Sequence, residues 1–354
     1  MVKSHNSHER AIVLGTVADT RLDELASWLA AHLPAPSFSL APASADASFR
    51  RYFRAMGGGR SWIAMDAPPG REDCRAFVRV AGMLRAAGVN APEVLAQDLG
   101  RGFLLLTDFG DTTYLSALTE ASAPRLFADA IDALVRWQLA SRPGELPPYD
   151  EALLRRECGL FPEWYIERHL GVALVPAERD TLAEMVTAIV TRNLAQPAVY
   201  VHRDYMPRNL MVTDPNPGVL DFQDAVYGPV TYDIASLMRD AFVSWDEERV
   251  LDWTVRYWEK AKRAGLPVAA DFGSFYADFE WMGLQRHLKV LGIFARIRYR
   301  DGKSAYLEDA PRFLAYARAV STRYRELSPL ARLLDRLEVA AGNGPLSSAP
   351  PGAQ

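Results

Sequence analysis

The segment VYVHRDYMPRNLMV, residues 199–212, constrains this chain more than any other stretch. It opens on alternating apolar residues, so His202 and Asp204 fall at the end of a strand, where side chains face open space. NLMV reads as a second short strand and GVLDF, residues 218–222, as a third. Strand, loop, strand, turn, strand brings Asp204, Asn209 and Asp221 to one place. On both sides of this block the apolar spacing is helical, at roughly 121–140, 151–169, 176–195, 233–243, 246–264, 271–297 and 310–327. A small β insertion inside a helical region is the frame for everything else.

The first third of the chain reads differently. TRLDELASWLAAHLP is an amphipathic helix with Leu22, Leu25, Trp28 and Leu29 on one face and Pro34 as its stop. FSLAPASADASFRRYFRAM and SWIAMDA are strand-like on either side of the Gly57–Gly59 turn. REDCRAFVRVAGMLRAAG is a helix ending at Gly88, and PEVLAQDLGRGFLLLTDFGD is a hairpin with an apolar, buried second strand. The expected fold class is therefore α+β in two lobes. A small lobe of antiparallel sheet plus helix runs over 19–106, a hinge over 107–112, and a larger, mainly helical lobe over 113–340. An extension at 1–18 and a Gly/Pro/Ser-rich tail at 341–354 complete the chain.

Bulk properties exclude several classes. A net charge of −4 does not suit a nucleic-acid partner, which calls for a basic surface. No stretch reaches about 18 uncharged apolar residues, so no membrane span is expected. Cys74 and Cys158 stand far apart with no CxxC or histidine cluster, which argues against a disulfide framework or zinc site. The N-terminus is too weakly apolar for a secretory signal. A cytoplasmic monomer acting on a small molecule is expected.

His202, Asp204 and Asn209 stand in the H-R-D-x-x-x-x-N spacing, followed by the acidic Asp221. Phosphoryl transfer to an alcohol needs a carboxylate to orient the hydroxyl and accept its proton, and oxygen ligands for magnesium on the phosphates. Asp204 is the natural base, and Asn209 and Asp221 the Mg²⁺ ligands. His202 is expected to hold the loop by hydrogen bonds. Asp233, at the start of the helix in GPVTYDIASLMRD, is expected to cap that helix and brace the loop.

VHRDYMPRNLMV, GVLDFQDA and YDIAS together resemble the Brenner motif and metal-binding segment of the aminoglycoside phosphotransferase-like kinases, relatives of choline kinase and the protein kinases. SFRRYFR, MDAPP, GFLLLTDFGD and FEWMGLQRHLKVLGIFARIRYRDGK further resemble the cell-wall-recycling sugar kinases. The resemblance covers roughly residues 20–335. It implies a bilobal protein-kinase-like fold, ATP and Mg²⁺, and an acceptor that is the anomeric hydroxyl of N-acetylmuramate or N-acetylglucosamine. It also implies that main-chain groups of Asp108 and Phe109 read the adenine edge.

One departure stands out. Protein kinases grip the phosphates with a strand lysine, but here no lysine occurs between Lys3 and Lys260. SFRRYFR offers Arg50, Arg51 and Arg54 instead, with Ser48 and nearby amides to cover the phosphates. Alternation sets Arg50 and Arg54 on one face and Arg51 with Phe53 on the other; the competing reading makes all three solvated surface charges. For the sugar, Glu163 and Trp164 in LFPEWYIERHL, and Gln285, Arg286, His287 and Lys289 in EWMGLQRHLKVLGIF, are the candidates. Arg286, His287 or Lys289 could meet the lactyl carboxylate of muramate. The basic and aromatic mix there tilts away from a polycationic acceptor. Competing readings are a kinase for an aminoglycoside, choline-like alcohol or homoserine, and a silent nucleotide-binding protein, which only the missing lysine supports.

Overall fold

A computed structural model describes residues 19–44 and 49–341. They group into two compact units, 19–74 with 94–108, and 75–93 with the chain from Phe109 onward.

The first unit is a sheet with one helix on it. Helix α1 (Thr20–His32) starts where the Asp19 side chain accepts the Leu22 N–H at 3.1 Å. Strands β1 (Ser39–Ser44), β2 (Arg51–Gly57) and β3 (Arg60–Asp66) precede helix α2 (Cys74–Ala86), and β4 (Val94–Asp98) and β5 (Phe103–Thr107) follow it. All pair antiparallel in the order β1-β2-β3-β5-β4. Leu25, Trp28 and Leu29 of α1 bury against Phe53, Ala55, Trp62, Ala64, Phe103 and Leu105, one face of the sheet. Because side chains alternate along a strand, Arg51 lies on the α1 face and Arg54 on the other.

The second unit is mainly helical: α3 (Tyr114–Ala117), α4 (Ala123–Leu139), α5 (Glu151–Leu160), α6 (Pro176–Leu194), α7 (Tyr232–Met238), α8 (Glu247–Arg263), α9 (Phe272–Asp301), α10 (Ala310–Arg323) and α11 (Ser328–Ala340). Short strands β6 (Ala198–Val201), β7 (Leu210–Met211), β8 (Gly218–Val219) and β9 (Val226–Pro229) pair as β6–β9 and β7–β8. The α9 helix is its axis, buried at every residue from Phe279 to Gly292. At Gly292 it comes so close to α5 that a Cβ would lie 2.4 Å from the Leu160 carbonyl carbon. That approach carries Gln285 and Lys289 to the side of α5 that bears Glu157.

Several local features differ from the sequence expectation: the helix expected over 233–243 ends at Met238, the strand expected over GVLDF is only Gly218–Val219, and the unexpected strand Val226–Pro229 pairs with β6. Residues 75–93, expected in a continuous small lobe, group with the larger unit. There the Val219 N–H donates to the Asn90 carbonyl at 2.7 Å, and the Phe77 and Phe222 rings meet at 4.7 Å. The helix expected over 151–169 changes at Phe161 into a π-helical segment, Phe161–His169, containing Pro162. The segment expected as one helix over 310–327 is α10 followed by a 3-10 turn, and α11 comes as an additional helix with Pro329 in its first turn. The α9 helix runs on to Asp301, where Gly302 at φ 73° ends it in the left-handed conformation. The extension at 1–18 and most of the tail lie outside the described residues. Among those described, no helix is long and apolar enough to cross a membrane.

Candidate active site

Strand β6 delivers His202 into a loop held from three sides. The Asp233 carboxylate accepts the backbone N–H groups of His202 at 2.7 Å and Arg203 at 3.0 Å. Arg203 stands at φ 77°, a strained conformation for a residue with a side chain, and this pair of bonds holds it there. Asp233 does not cap its helix as expected. Thr231 is the N-cap of α7, and Asp233, one turn-step inside, points to the loop instead. Its full burial pushes its pKa up to about 7, against the two N–H donors.

His202 is the second brace. One ring nitrogen, Nε2, lies 3.0 Å from the Leu220 carbonyl, and the Asp204 N–H donates to Nδ1 at 3.3 Å. Those partners assign the proton to Nε2. Burial draws the imidazole down to about 4, so the ring is neutral and serves as a spacer between Asp204 and the segment after β8 that carries Asp221.

Asn209 is the third brace. Its Nδ2 donates to the Asp204 carbonyl at 2.9 Å and to Asp221 Oδ2 at 3.2 Å. Gln223 Nε2 donates to Asp221 Oδ1 at 2.8 Å. Asp221 itself sits at φ 62°, again off the ordinary conformations. Asp204, Asn209 and Asp221 are thus drawn together through side-chain contacts. The Asp204 carboxylate, half-buried, accepts no hydrogen bond and forms no ion pair with the described residues. Its main chain is fixed on both sides while its oxygens remain available to a ligand.

Among the described residues no group of three or more His, Cys, Asp or Glu side chains gathers as a metal cage. One amide oxygen and one carboxylate suit Mg²⁺, which keeps several waters and takes phosphate oxygens as further ligands, and do not suit structural zinc.

Beside Asp204 lies a buried ionic cluster that the sequence reading did not anticipate as a unit. Glu157 of α5 takes Arg203 NH2 at 2.5 Å, Lys289 Nζ at 3.0 Å and Gln285 Nε2 at 3.2 Å, and the Tyr149 hydroxyl donates to it as well. Lys289 also donates to the Tyr232 hydroxyl at 3.0 Å. Burial would raise Glu157, but the Lys289 and Arg203 charges outweigh it and bring the carboxyl down to about 2.

The residues expected around the sugar therefore separate. Gln285 and Lys289 join the Glu157 cluster, and Arg286 rests its NH2 3.9 Å from Met206 Sδ, in the same loop as Asp204. His287 is enclosed by Phe313 and Tyr316, at 5.4 and 5.2 Å between ring centres. Glu163 is exposed and Trp164 lies under the Arg168 guanidinium at 4.7 Å; neither joins the cluster.

In the first unit the three arginines are not simple solvated charges. Arg50 pairs with Glu72 at 3.0 Å. Arg51 pairs with Asp19 and with the fully buried Asp66, which Arg21 also holds, so Arg51 is committed to the α1 side. Arg54 grips the Asp108 carboxylate through Nε at 2.6 Å and NH2 at 3.1 Å. Ser48 lies outside the described residues. In the second unit the Phe109 ring packs on Gly218, where a Cβ would come within 2.6 Å of it.

Glu157, Arg203, Tyr149, Gln223 and Glu72 were missed by sequence reasoning. Arg203 sits inside the loop motif and Gln223 two residues past Asp221, so the motif and its flank carry the local signal for both. Glu157 and Tyr149 give no local signal, because their partners are distant in the chain.

Fold and site together define a phosphotransferase, and the chain belongs to the phosphotransferase enzyme family, which matches residues 39–272. It is an enzyme that moves a phosphoryl group to a hydroxyl acceptor. It is 54% identical over 336 residues to the N-acetylmuramate/N-acetylglucosamine kinase of Pseudomonas aeruginosa, covering 91% of this chain and 98% of that one. It is 50% identical over 319 residues to the enzyme of the same name from Neisseria meningitidis, covering 89% of this chain and 95% of the other. The fold is shared with an aminoglycoside 2'-phosphotransferase-IIIa in its GDP complex, at TM-score 0.59 and 14% identity over 86% of this chain and 100% of that one. It is shared also with a choline/ethanolamine kinase family protein from Mesorhizobium loti, at TM-score 0.58 and 16% identity over 89% and 99%.

Proposed function

We propose that this phosphotransferase moves the γ-phosphoryl group of ATP to the anomeric hydroxyl of N-acetylmuramate and N-acetylglucosamine, giving the sugar 1-phosphates in peptidoglycan recycling. The observation that carries the reading is the Asp204 carboxylate, fixed through its backbone by His202 and Asn209 and left without a side-chain partner among the described residues. A sugar hydroxyl donating to Asp204 is aligned for attack, and its proton passes to the Asp204 carboxylate as the new P–O bond forms and the bond to ADP breaks. An anomeric hydroxyl is more acidic than an ordinary alcohol, so a simple carboxylate suffices as base. Asn209 and Asp221 would hold magnesium, which when bound offsets the negative charge on the phosphate oxygens.

The two relatives' names supply the choice of acceptor. On the nucleotide, Arg50 or Arg54 takes the place of the absent lysine, and Arg51 is set aside because it lies on the α1 face of the sheet, held there by Asp19 and Asp66, away from the face of Arg54. The main chain at Asp108 and Phe109 reads the adenine, and Gln285, Arg286 and Lys289 serve the sugar. The unpaired, buried Cys74 and Cys158 fit a reducing cytoplasm.

The test is a panel of acceptors with ATP and Mg²⁺, read by ³¹P NMR. N-acetylmuramate and N-acetylglucosamine should each give a phosphorus signal coupled to the anomeric proton. Turnover of an aminoglycoside, choline or homoserine with both sugars inert would overturn the proposal.

A further inference from the structure

Three basic side chains, Arg286, His287 and Lys289, lie within four residues of α9, and the structure sorts them. Lys289 is ion-paired to Glu157 at 3.0 Å and hydrogen-bonded to Tyr232, so its charge is already matched. His287 is buried with neither ring nitrogen bonded, and burial together with the Arg239 and Arg286 charges pushes its pKa well down, so it is neutral. Arg286 is different. It is only 4% exposed. It forms no ion pair with the described residues, its Nε has no acceptor, and its one hydrogen bond reaches the weakly accepting Met206 sulfur.

Two carboxylates lie within electrostatic reach of Arg286, and neither forms a hydrogen bond or ion pair with it. Asp233 takes the His202 and Arg203 N–H groups, and Asp240 takes the Phe242 N–H at 3.0 Å through Oδ2 while its buried Oδ1 has no hydrogen-bond partner among the described residues. The neighbouring cation Arg239 is held by Glu247 at 2.8 Å. A buried guanidinium with five donors and one poor acceptor is an unfinished site, and a carboxylate completes it with two oxygens in matching geometry. Met206, on which it rests, is two residues past Asp204.

We infer that Arg286 is the specificity-determining residue for an anionic amino sugar, its guanidinium receiving the substrate's carboxylate while Asp204 faces the reacting hydroxyl. The inference rests on the acceptors proposed above. N-acetylmuramate carries a lactyl carboxylate that N-acetylglucosamine lacks, so the two sugars form an internal comparison.

The experiment measures kcat/KM for both sugars in the wild type, Arg286→Met and Arg286→Lys. The readout is the ratio of N-acetylmuramate to N-acetylglucosamine, which a general loss of folding or loop position leaves unchanged. The ratio should fall roughly 10- to 100-fold in Arg286→Met, mainly through KM for N-acetylmuramate, and less in Arg286→Lys. In the wild type, the methyl ester of N-acetylmuramate should lose a similar factor. A ratio within about twofold of wild type in Arg286→Met, with both sugars turned over, overturns the inference and assigns Arg286 to balancing Asp233 and Asp240. If Arg286→Met does not fold, the uncharged Arg286→Gln decides by the same ratio. A wild type inactive on both sugars overturns the proposed acceptors instead.

Discussion

Replacing Glu157 by glutamine removes the one carboxylate that Arg203 and Lys289 share. Lys289 is buried and Arg203 is mostly so, and Gln285 and Tyr149 complete the ring of donors. The carboxyl is drawn from 4.5 to about 2, and about 1.4 kcal/mol per tenfold makes this about 3 kcal/mol of stability at neutral pH. The cost of leaving a buried pair half-made points to the same range, about 3–5 kcal/mol. The sign follows from the depressed pKa. The contribution is complete above the unfolded value of 4.5, and drains away as pH falls toward about 2. Urea denaturation of the wild type and Glu157→Gln at pH 7 should differ by about 3 kcal/mol, shrinking to about half that or less near pH 3. A gap below about 1 kcal/mol at pH 7, or one that stays constant on acidification, would refute the reasoning. Activity supplies a second readout, because Arg203 lies next to Asp204 in the loop.

Further outcomes follow from the same geometry. Gly292→Ala puts a methyl group 2.4 Å from the Leu160 carbonyl carbon, so urea denaturation should show a loss of about 1–3 kcal/mol. His202 is drawn from 6.5 to about 4 by burial, so wild-type stability should fall as pH drops from about 6.5 to about 4. His202→Gln should lose less stability than the wild type over that window; an equal loss places the titration elsewhere. Arg50→Ala or Arg54→Ala should raise KM for ATP. Arg51→Ala should instead destabilise, because Asp66, fully buried, then keeps Arg21 as its one cationic partner among the described residues. A KM for ATP raised by Arg51→Ala alone reverses that assignment.

Much of the central loop was legible in the sequence because its logic is local. The β6–loop–β7–β8 block brings His202, Asp204, Asn209 and Asp221 together within one stretch of chain, so spacing and alternation suffice to group them. Strand alternation likewise separates Arg51 from Arg54 before any coordinates. The rest depends on partners far apart in the chain. Nothing around Glu157 marks it, since its value comes from Arg203 and Lys289 on other elements. Arg286, His287 and Lys289 look alike in sequence, and only the packing of α9 tells a matched cation from a neutral ring and an unpaired guanidinium. Asp233 shows a third pattern. A helix-start aspartate reads as a cap, but Thr231 holds that position and frees Asp233 to brace the loop. Helix α11 escaped because the 3-10 turn at Arg325–Leu327 interrupts the period without a strong break signal.

The most direct measurement of the central claim compares the wild type with Asp204→Asn on N-acetylmuramate, ATP and Mg²⁺, following ADP release and the ³¹P spectrum in the same samples. Urea denaturation of both proteins shows that the folds match. The account predicts sugar 1-phosphate from the wild type, and from Asp204→Asn a turnover lower by a factor on the order of 10²–10⁴. A folded Asp204→Asn variant working within a few-fold of wild type would contradict it.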